Sequence, residues 1–259
     1  MKIFIITQED SLVIPKNMQL LADANFIEIT GACIITSKNS LSEKKGLFMR
    51  NFGLFQVAKM GLIITKNKIL NTLDLLFSFN LLNNKKSVEA FCKYDSLPFY
   101  KEEDVNNDEF IEKIKAVEAD VIVSFSAPAI FKTELLSLPK KGCINLHCSL
   151  LPKYSGILPS FWTLFNDEKE TGATVHYMDD EIDNGDILGQ KSLEILKSDS
   201  MFDIIKKTKE VGGRLMLEVL HDIMTNNIKL VKNKVIHDRY HSWPTDSDFK
   251  KFAKKRKLI

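Results

Sequence analysis

The chain has 259 residues, 44% hydrophobic and 27% charged. This excludes intrinsic disorder and suits one large domain, or a domain with an appendage, that buries its core without metals or disulfides. A formal charge of +2 excludes a global field for nucleic acid, and the local excess of six basic residues and no acid from Lys250 to Ile259 reads as a solvated tail.

In chain order, Ile3–Thr7 is a continuous, β-branched run flanked by polar residues and predicts a buried first strand. Its apolar run is too short for a signal peptide. Residues 15–25 predict a helix and Phe26–Thr36 a second strand. Ser87–Tyr94 predicts a helix. Leu97–Tyr100 predicts a short strand that Pro98 confines to an edge or a strand start. Asp108–Val117 has helical spacing, and Asp120–Phe125 and Gly142–Leu146 are buried strands. Pro159 can open a helix through Phe161 and Trp162. Thr171–Met178 and Ile187–Ile195 predict strands and residues 201–225 a long helix, with a polar tail after it. Strands separated by helices predict an α/β chain with a mostly parallel sheet and flanking helices. Ligands of such sheets bind beyond the carboxyl ends of the strands, so the chemistry is expected just after Ile3–Thr7, Asp120–Phe125 and Gly142–Leu146. No run of about 18 apolar residues exists to span a membrane. The four cysteines, Cys33, Cys92, Cys143 and Cys148, lack CxxC spacing and fit a reducing cytoplasm.

Residues 43–86 interrupt this alternation. They are rich in Phe, Leu, Ile and Met and carry eight basic residues against Glu43 and Asp74. They predict either a basic amphipathic pair of helices that touches a membrane or an anionic ligand, or a helical insertion packed on the domain or on a second subunit.

The informative stretch runs from Gly142 to Gln190. Strand alternation puts Asn145 and His147 on one face at the carboxyl edge of a strand. The loop Ser149-Leu150-Leu151-Pro152 and a turn at Tyr154-Ser155-Gly156 follow, and Asp179–Asp186 forms a densely acidic loop. That loop also reads as a solvated turn; its spacing does not match an EF-hand calcium site. Cys148 beside His147 suggests a thiol nucleophile, but neighbours along a strand point apart. His176 and His221 read as structural, and His237 and His241 receive no role.

The run N-L-H-x-S-L-L-P-x-Y-x-G, followed by E-I-D-N-G-D-I-L, resembles the folate-dependent formyltransferase family. The resemblance covers residues 1–210 and is dense from Ala119 to Gln190. It implies a Rossmann-like catalytic domain over residues 1–210, with the helical insertion within it, and a C-terminal helix and basic tail over 211–259. It implies N10-formyltetrahydrofolate as formyl donor and no metal. The family's catalytic asparagine, histidine and aspartate fall on Asn145, His147 and Asp183. The pterin is expected between the segment of Phe125, Ser126, Ala127 and Ile130 and the loop of Met178, Asp179, Asp180, Glu181, Ile182 and Gly185. Ser149, Leu150, Lys153, Tyr154 and Trp162 are expected on the acceptor side, where Trp162 equally suits the core.

The chemistry of these residue types agrees. An amine attacking a formyl carbon creates an oxyanion, and Asn145 and His147 can donate hydrogen bonds to it. His147, or a water held by Asp183, can move the amine's proton. The first-strand loop Thr7-Gln8-Glu9-Asp10-Ser11 has two acids and no glycine, unlike the phosphate-holding loop of glycinamide ribonucleotide transformylases. The residues after 225 are too few for the β-barrel of methionyl-tRNA formyltransferases, and no regulatory domain of the hydrolase type precedes the first strand. The layout resembles sugar N-formyltransferases, including the segment from Trp243 to Phe252. The expected acceptor is therefore a nucleotide-linked amino sugar for surface polysaccharide, with no nucleic-acid partner; the insertion at 43–86, read as an interface, gives the expectation of a homodimer. A methionyl-tRNA formyltransferase-like enzyme without the barrel and a non-catalytic folate-binding relative remain the alternatives.

Overall fold

The computed structural model describes residues 1–10, 13–36, 42–77, 87–234 and 240–259. Ser11 of the first loop, the insertion from 78 to 86 and His237 lie outside the described residues. Seven strands, β1 (Lys2–Thr7), β2 (Glu28–Ile35), β3 (Phe99–Glu102), β4 (Val121–Phe125), β5 (Cys143–His147), β6 (Glu170–Tyr177) and β7 (Ile187–Glu194), form one sheet among the described residues. Its order is β3-β2-β1-β4-β5-β6-β7. The first five in that order are parallel, and β6 and β7 add antiparallel at one edge. This is the α/β, mostly parallel sheet that the alternating pattern predicts, in the Rossmann-like form that the family resemblance implies.

The inner strands are apolar on both faces because helices cover both. Ile3 and Ile5 of β1 face α1 (Ile14–Ala22), α3 (Val88–Tyr94) and α7 (Met201–Met224). Phe4 and Ile6 face α4 (Asp108–Val117) and the single turn α5 (Thr133–Leu136). Two glycines let α7 approach the strand that carries the site. A Cβ at Gly212 would lie 2.5 Å from Leu146 Cδ1 on β5, and one at Gly213 would lie 2.2 Å from Asn17 Oδ1 on α1. A capping box of Ser200 and Asp203 fixes where α7 begins.

A third apolar cluster joins α2 (Ser42–Phe77), α6 (Pro159–Phe165) and α8 (Asp246–Lys255). Here the solvated-tail expectation is corrected. Thr245 and Asp248 form a capping box that starts α8, whose Phe249 and Phe252 are fully buried, as is Leu258. Phe252 stacks on Phe161 at 4.6 Å and meets Phe52 edge-on at 5.9 Å. The lysines of α8 occupy its outer face, where Lys255 pairs with Asp167 at 2.5 Å. Phe252→Ala should therefore cost about 3–5 kcal/mol, as other deletions of buried aromatic rings do. An unfolding midpoint in urea unchanged from that of the parent chain would contradict this packing.

The insertion is helical over Ser42–Phe77, broken at Gly53, whose φ of 72° and ψ of 159° are non-helical. Phe52 packs into the third cluster, whereas Leu54, Phe55, Leu62, Ile64, Ile69 and Leu73 are exposed. Among the described residues no helix is long and apolar enough to cross a membrane.

Candidate active site

β4 and β5 run parallel with Ser124 opposite Asn145. The Ser124 hydroxyl donates to Asn145 Oδ1 at 2.8 Å, which turns the amide nitrogen outward. Asn145 Nδ2 then lies 3.2 Å from His176 Nε2. His176 arrives from β6, whose antiparallel register sets it directly opposite Asn145. Its Nδ1 lies 2.7 Å from the Tyr177 carbonyl, an acceptor, so Nδ1 carries the proton and Nε2 accepts from Asn145.

His147 ends β5 and is buried. Its Nε2 donates to the Tyr154 carbonyl at 2.7 Å, and its Nδ1 lies 3.3 Å from Asp183 Oδ1. Asp183 Oδ1 is also 3.6 Å from His176 Nε2, and Asp183 Oδ2 accepts the Gly156 N–H at 2.7 Å. Asp183 has a φ of 52°, a left-handed conformation that a short polar side chain tolerates better than most. The sharp turn this makes lets the acidic loop point its carboxylate back at the strand end.

Electrostatics follow from this geometry. Burial alone would lower the His147 pKa. The Asp183 charge, its hydrogen bond and the Tyr154 carbonyl outweigh burial and hold it above the ordinary imidazole value. Burial alone would raise Asp183, but the charge and hydrogen bond of His147 hold its carboxyl well below the usual carboxylate range. Both shifts favour the pair as an imidazolium beside a carboxylate. Burial pushes the Cys148 thiol up, which removes the thiolate that a nucleophile requires.

Asn145, His147 and Asp183 converge on one cavity of about 700 Å³. Ser126, Ala127, Ile130, Met178, Asp179, Glu181 and Ile182 also line it. Phe125, Asp180 and Gly185 do not. The Phe125 ring belongs to the core beneath, Asp180 is exposed, and Gly185 sits so close to Tyr177 that a Cβ would lie 2.0 Å from its carbonyl oxygen.

The expected acceptor residues are corrected more broadly. Ser149, Leu150, Lys153, Tyr154 and Trp162 all lie off the cavity wall, because the loop after β5 folds back on the body. Ser149 donates to the Tyr154 carbonyl, and Leu150 packs under Gly172. Lys153 pairs with Glu168 at the surface at 2.6 Å, and the Tyr154 hydroxyl donates to the same carboxylate at 2.7 Å. Trp162 Nε1 donates to the Ser242 carbonyl at 3.1 Å. Their places on the wall are taken by Gln8, Ser160, Ile205, Lys209, Tyr240 and Trp243. Lys209 is held by Asp10, so one acid of the first loop is neutralised rather than presented.

Sequence reasoning also missed His176, which it read as structural. The available signal was its even spacing from Thr174 along β6, which puts both side chains on one face. No group of three metal-ligating side chains occurs among the described residues.

The family described as Formyl transferase matches residues 77–220. A methionyl-tRNA formyltransferase from Caldicellulosiruptor saccharolyticus is 40% identical over 134 residues, 52% of this chain and 42% of that protein. The chain thus spans less than half the length of that curated relative. An N-formyltransferase from Helicobacter canadensis, solved in complex with folinic acid and dTDP-3-aminofucose, superposes with a TM-score of 0.61 over 100% of this chain and 81% of its own, at 19% identity. Glycinamide ribonucleotide transformylase 1 from Symbiobacterium toebii gives a TM-score of 0.62 over 90% of this chain and 94% of its own, at 13% identity. These two structural likenesses concern the fold.

Proposed function

Because the chain belongs to the formyl transferase family, we propose that it moves a formyl group from N10-formyltetrahydrofolate to the primary amine of a nucleotide-linked amino sugar. The observation that carries the reading is the convergence of Asn145, His147 and Asp183 on one cavity.

The lining of the cavity supports that donor. A pterin is flat, with polar edges. The wall offers the apolar stretch Ala127–Phe131 for its faces and the loop from Met178 to Asp183 for its edges. Asn145 Nδ2 has a second N–H beyond the one shared with His176.

In the proposed reaction the neutral amine attacks the formyl carbon, forming a C–N bond and a tetrahedral oxyanion. Asn145 donates to that oxygen, such a donor being worth about 3–4 kcal/mol, and His147, whose two ring nitrogens face the Tyr154 carbonyl and Asp183, acts on it through the charge of its imidazolium form. The bond to folate N10 then breaks. The attacking nitrogen loses a proton by way of a water held at Asp183, and N10 takes one up. The products are the formamide and tetrahydrofolate, so no redox partner is needed.

Two observations bear on the acceptor. The fold likeness to a sugar N-formyltransferase extends over the whole chain, which favours an amino sugar. The higher identity to methionyl-tRNA formyltransferases covers about half of it, which keeps methionyl-tRNA as the second reading. Turnover with a panel of nucleotide-linked amino sugars, set beside turnover with methionyl-tRNA, separates the two. Faster transfer to methionyl-tRNA at every concentration would overturn the sugar reading.

The assembly proposed is a dimer in which a second copy covers the exposed apolar residues of α2, since contiguous apolar patches are rare on monomers. Light scattering at micromolar concentration should give twice the chain mass; the mass of a single chain would refute it.

A further inference from the structure

The match to the formyl transferase family ends at residue 220, yet the chain returns to the site twice after that point. The first return runs along the acidic loop. Val231 and Ile187 exchange backbone hydrogen bonds at 2.9 and 2.8 Å. Asn233 Nδ2 donates to the Asp183 carbonyl at 2.7 Å and to the Gly185 carbonyl at 3.2 Å.

The second return crosses the turn after β5. The His241 N–H donates to the Ser155 carbonyl at 2.9 Å, and the His241 carbonyl accepts from Ile157 at 2.7 Å. Gly156, between those two partners, is the residue whose N–H holds Asp183 Oδ2. It has a φ of 106°, and a Cβ there would lie 2.4 Å from the His241 oxygen. The His241 ring packs against Tyr154, whose carbonyl holds His147. Tyr240 and Trp243 flank this crossing and line the cavity themselves.

We propose that this C-terminal strap, through Val231, Asn233 and residues 240–243 but not the outward-facing Lys232, is a working part of the catalytic centre: Asn233 and the His241 backbone are positioning elements that hold Asp183 against His147 from the main-chain side and the side-chain side. The inference rests on the formyl-transfer reading of the site. Its physical basis is the left-handed conformation of Asp183, sparsely populated even for a short polar residue and held here by bonds from its surroundings. The bonds that do so come from Asn233 and, through Gly156, from His241. An aspartate that relaxes from this conformation swings its carboxylate away from His147 Nδ1.

The test uses the full chain and two readouts, the titration of the His147 ring by NMR and formyl-transfer kinetics. The variants are Asn233→Ala and Gly156→Ala, with Lys232→Ala as control, since Lys232 pairs only at the surface with Asp186 at 2.8 Å. The other titratable groups around the pair, His176 and Tyr240 beside it and Asp179, Glu181 and Lys209 on the cavity wall, are unchanged in all three.

Asn233→Ala should move the His147 midpoint down and lower kcat by on the order of 10²-fold, with the KM for the folate unchanged. Lys232→Ala should move neither. Gly156→Ala should act in the same direction, and Asn233→Ala carries the test if the glycine variant fails to fold. A folded Asn233→Ala chain with the parent midpoint and the parent kcat would overturn the proposal. If the parent chain formylates no amine while the midpoint still falls in Asn233→Ala, the strap stands as a positioning device and the formyl-transfer reading is what fails.

Discussion

Replacing His147 with alanine is expected to lower formyl transfer by about 10²–10⁴-fold, the range seen when a positioned acid or base is lost. The imidazole is buried between the Tyr154 carbonyl and Asp183, and the charge of its protonated form is what the oxyanion would meet. Burial also means that the alanine chain loses stability, because Asp183 is left as a buried carboxylate with its nearest cation removed. His147→Asn, which keeps an amide donor, separates the two effects by recovering part of the stability without the charge. Cys148→Ser is the control: its neighbour in sequence is essential in this account, and the thiol is not. Turnover that survived His147→Ala and vanished in Cys148→Ser would transfer the chemistry to the thiol.

Asp183→Asn is expected to have a comparable effect on rate and a diagnostic effect on pH. In the parent chain the Asp183 charge, with the hydrogen bonds of the site, overcomes burial and raises the His147 pKa above its ordinary value. If the imidazolium is the active form, the rate is full below that pKa and falls as pH rises through it. With asparagine the Coulombic partner is gone and burial dominates, so the pKa falls and the alkaline loss of rate begins at lower pH. An alkaline limb that stays in place in Asp183→Asn would mean that it does not report His147, and a rate that rises as His147 loses its proton would mean that His147 works as a neutral base.

What could be read from the sequence was what is local along the chain. Asn145 and His147 are two apart on one strand, and Asp183 lies in an acidic loop with its own composition; these features need no knowledge of the fold. His176 was not legible as a site residue because its role depends on register: only the antiparallel pairing of β6 on β5 puts it opposite Asn145. The ion pair of Lys209 with Asp10 joins α7 to the first loop and is equally invisible to spacing. The acceptor residues were misplaced for the opposite reason. Ser149, Lys153 and Tyr154 follow His147 closely in the chain, but the loop turns them into the body, where they brace the site instead of lining it. The tail was read from its lysines, while Phe249 and Phe252 three residues apart form the stripe that folds α8 onto α6.

In the proposed reaction this cavity moves a one-carbon unit between two nitrogens. The most direct measurement is transfer of a labelled formyl carbon from N10-formyltetrahydrofolate, with the parent chain and Asp183→Asn side by side. The parent should place the label on the amine of a nucleotide-linked amino sugar, one tetrahydrofolate appearing per formamide, and Asp183→Asn should do so far more slowly. Label released as free formate at the same rate with and without the amine would contradict the account.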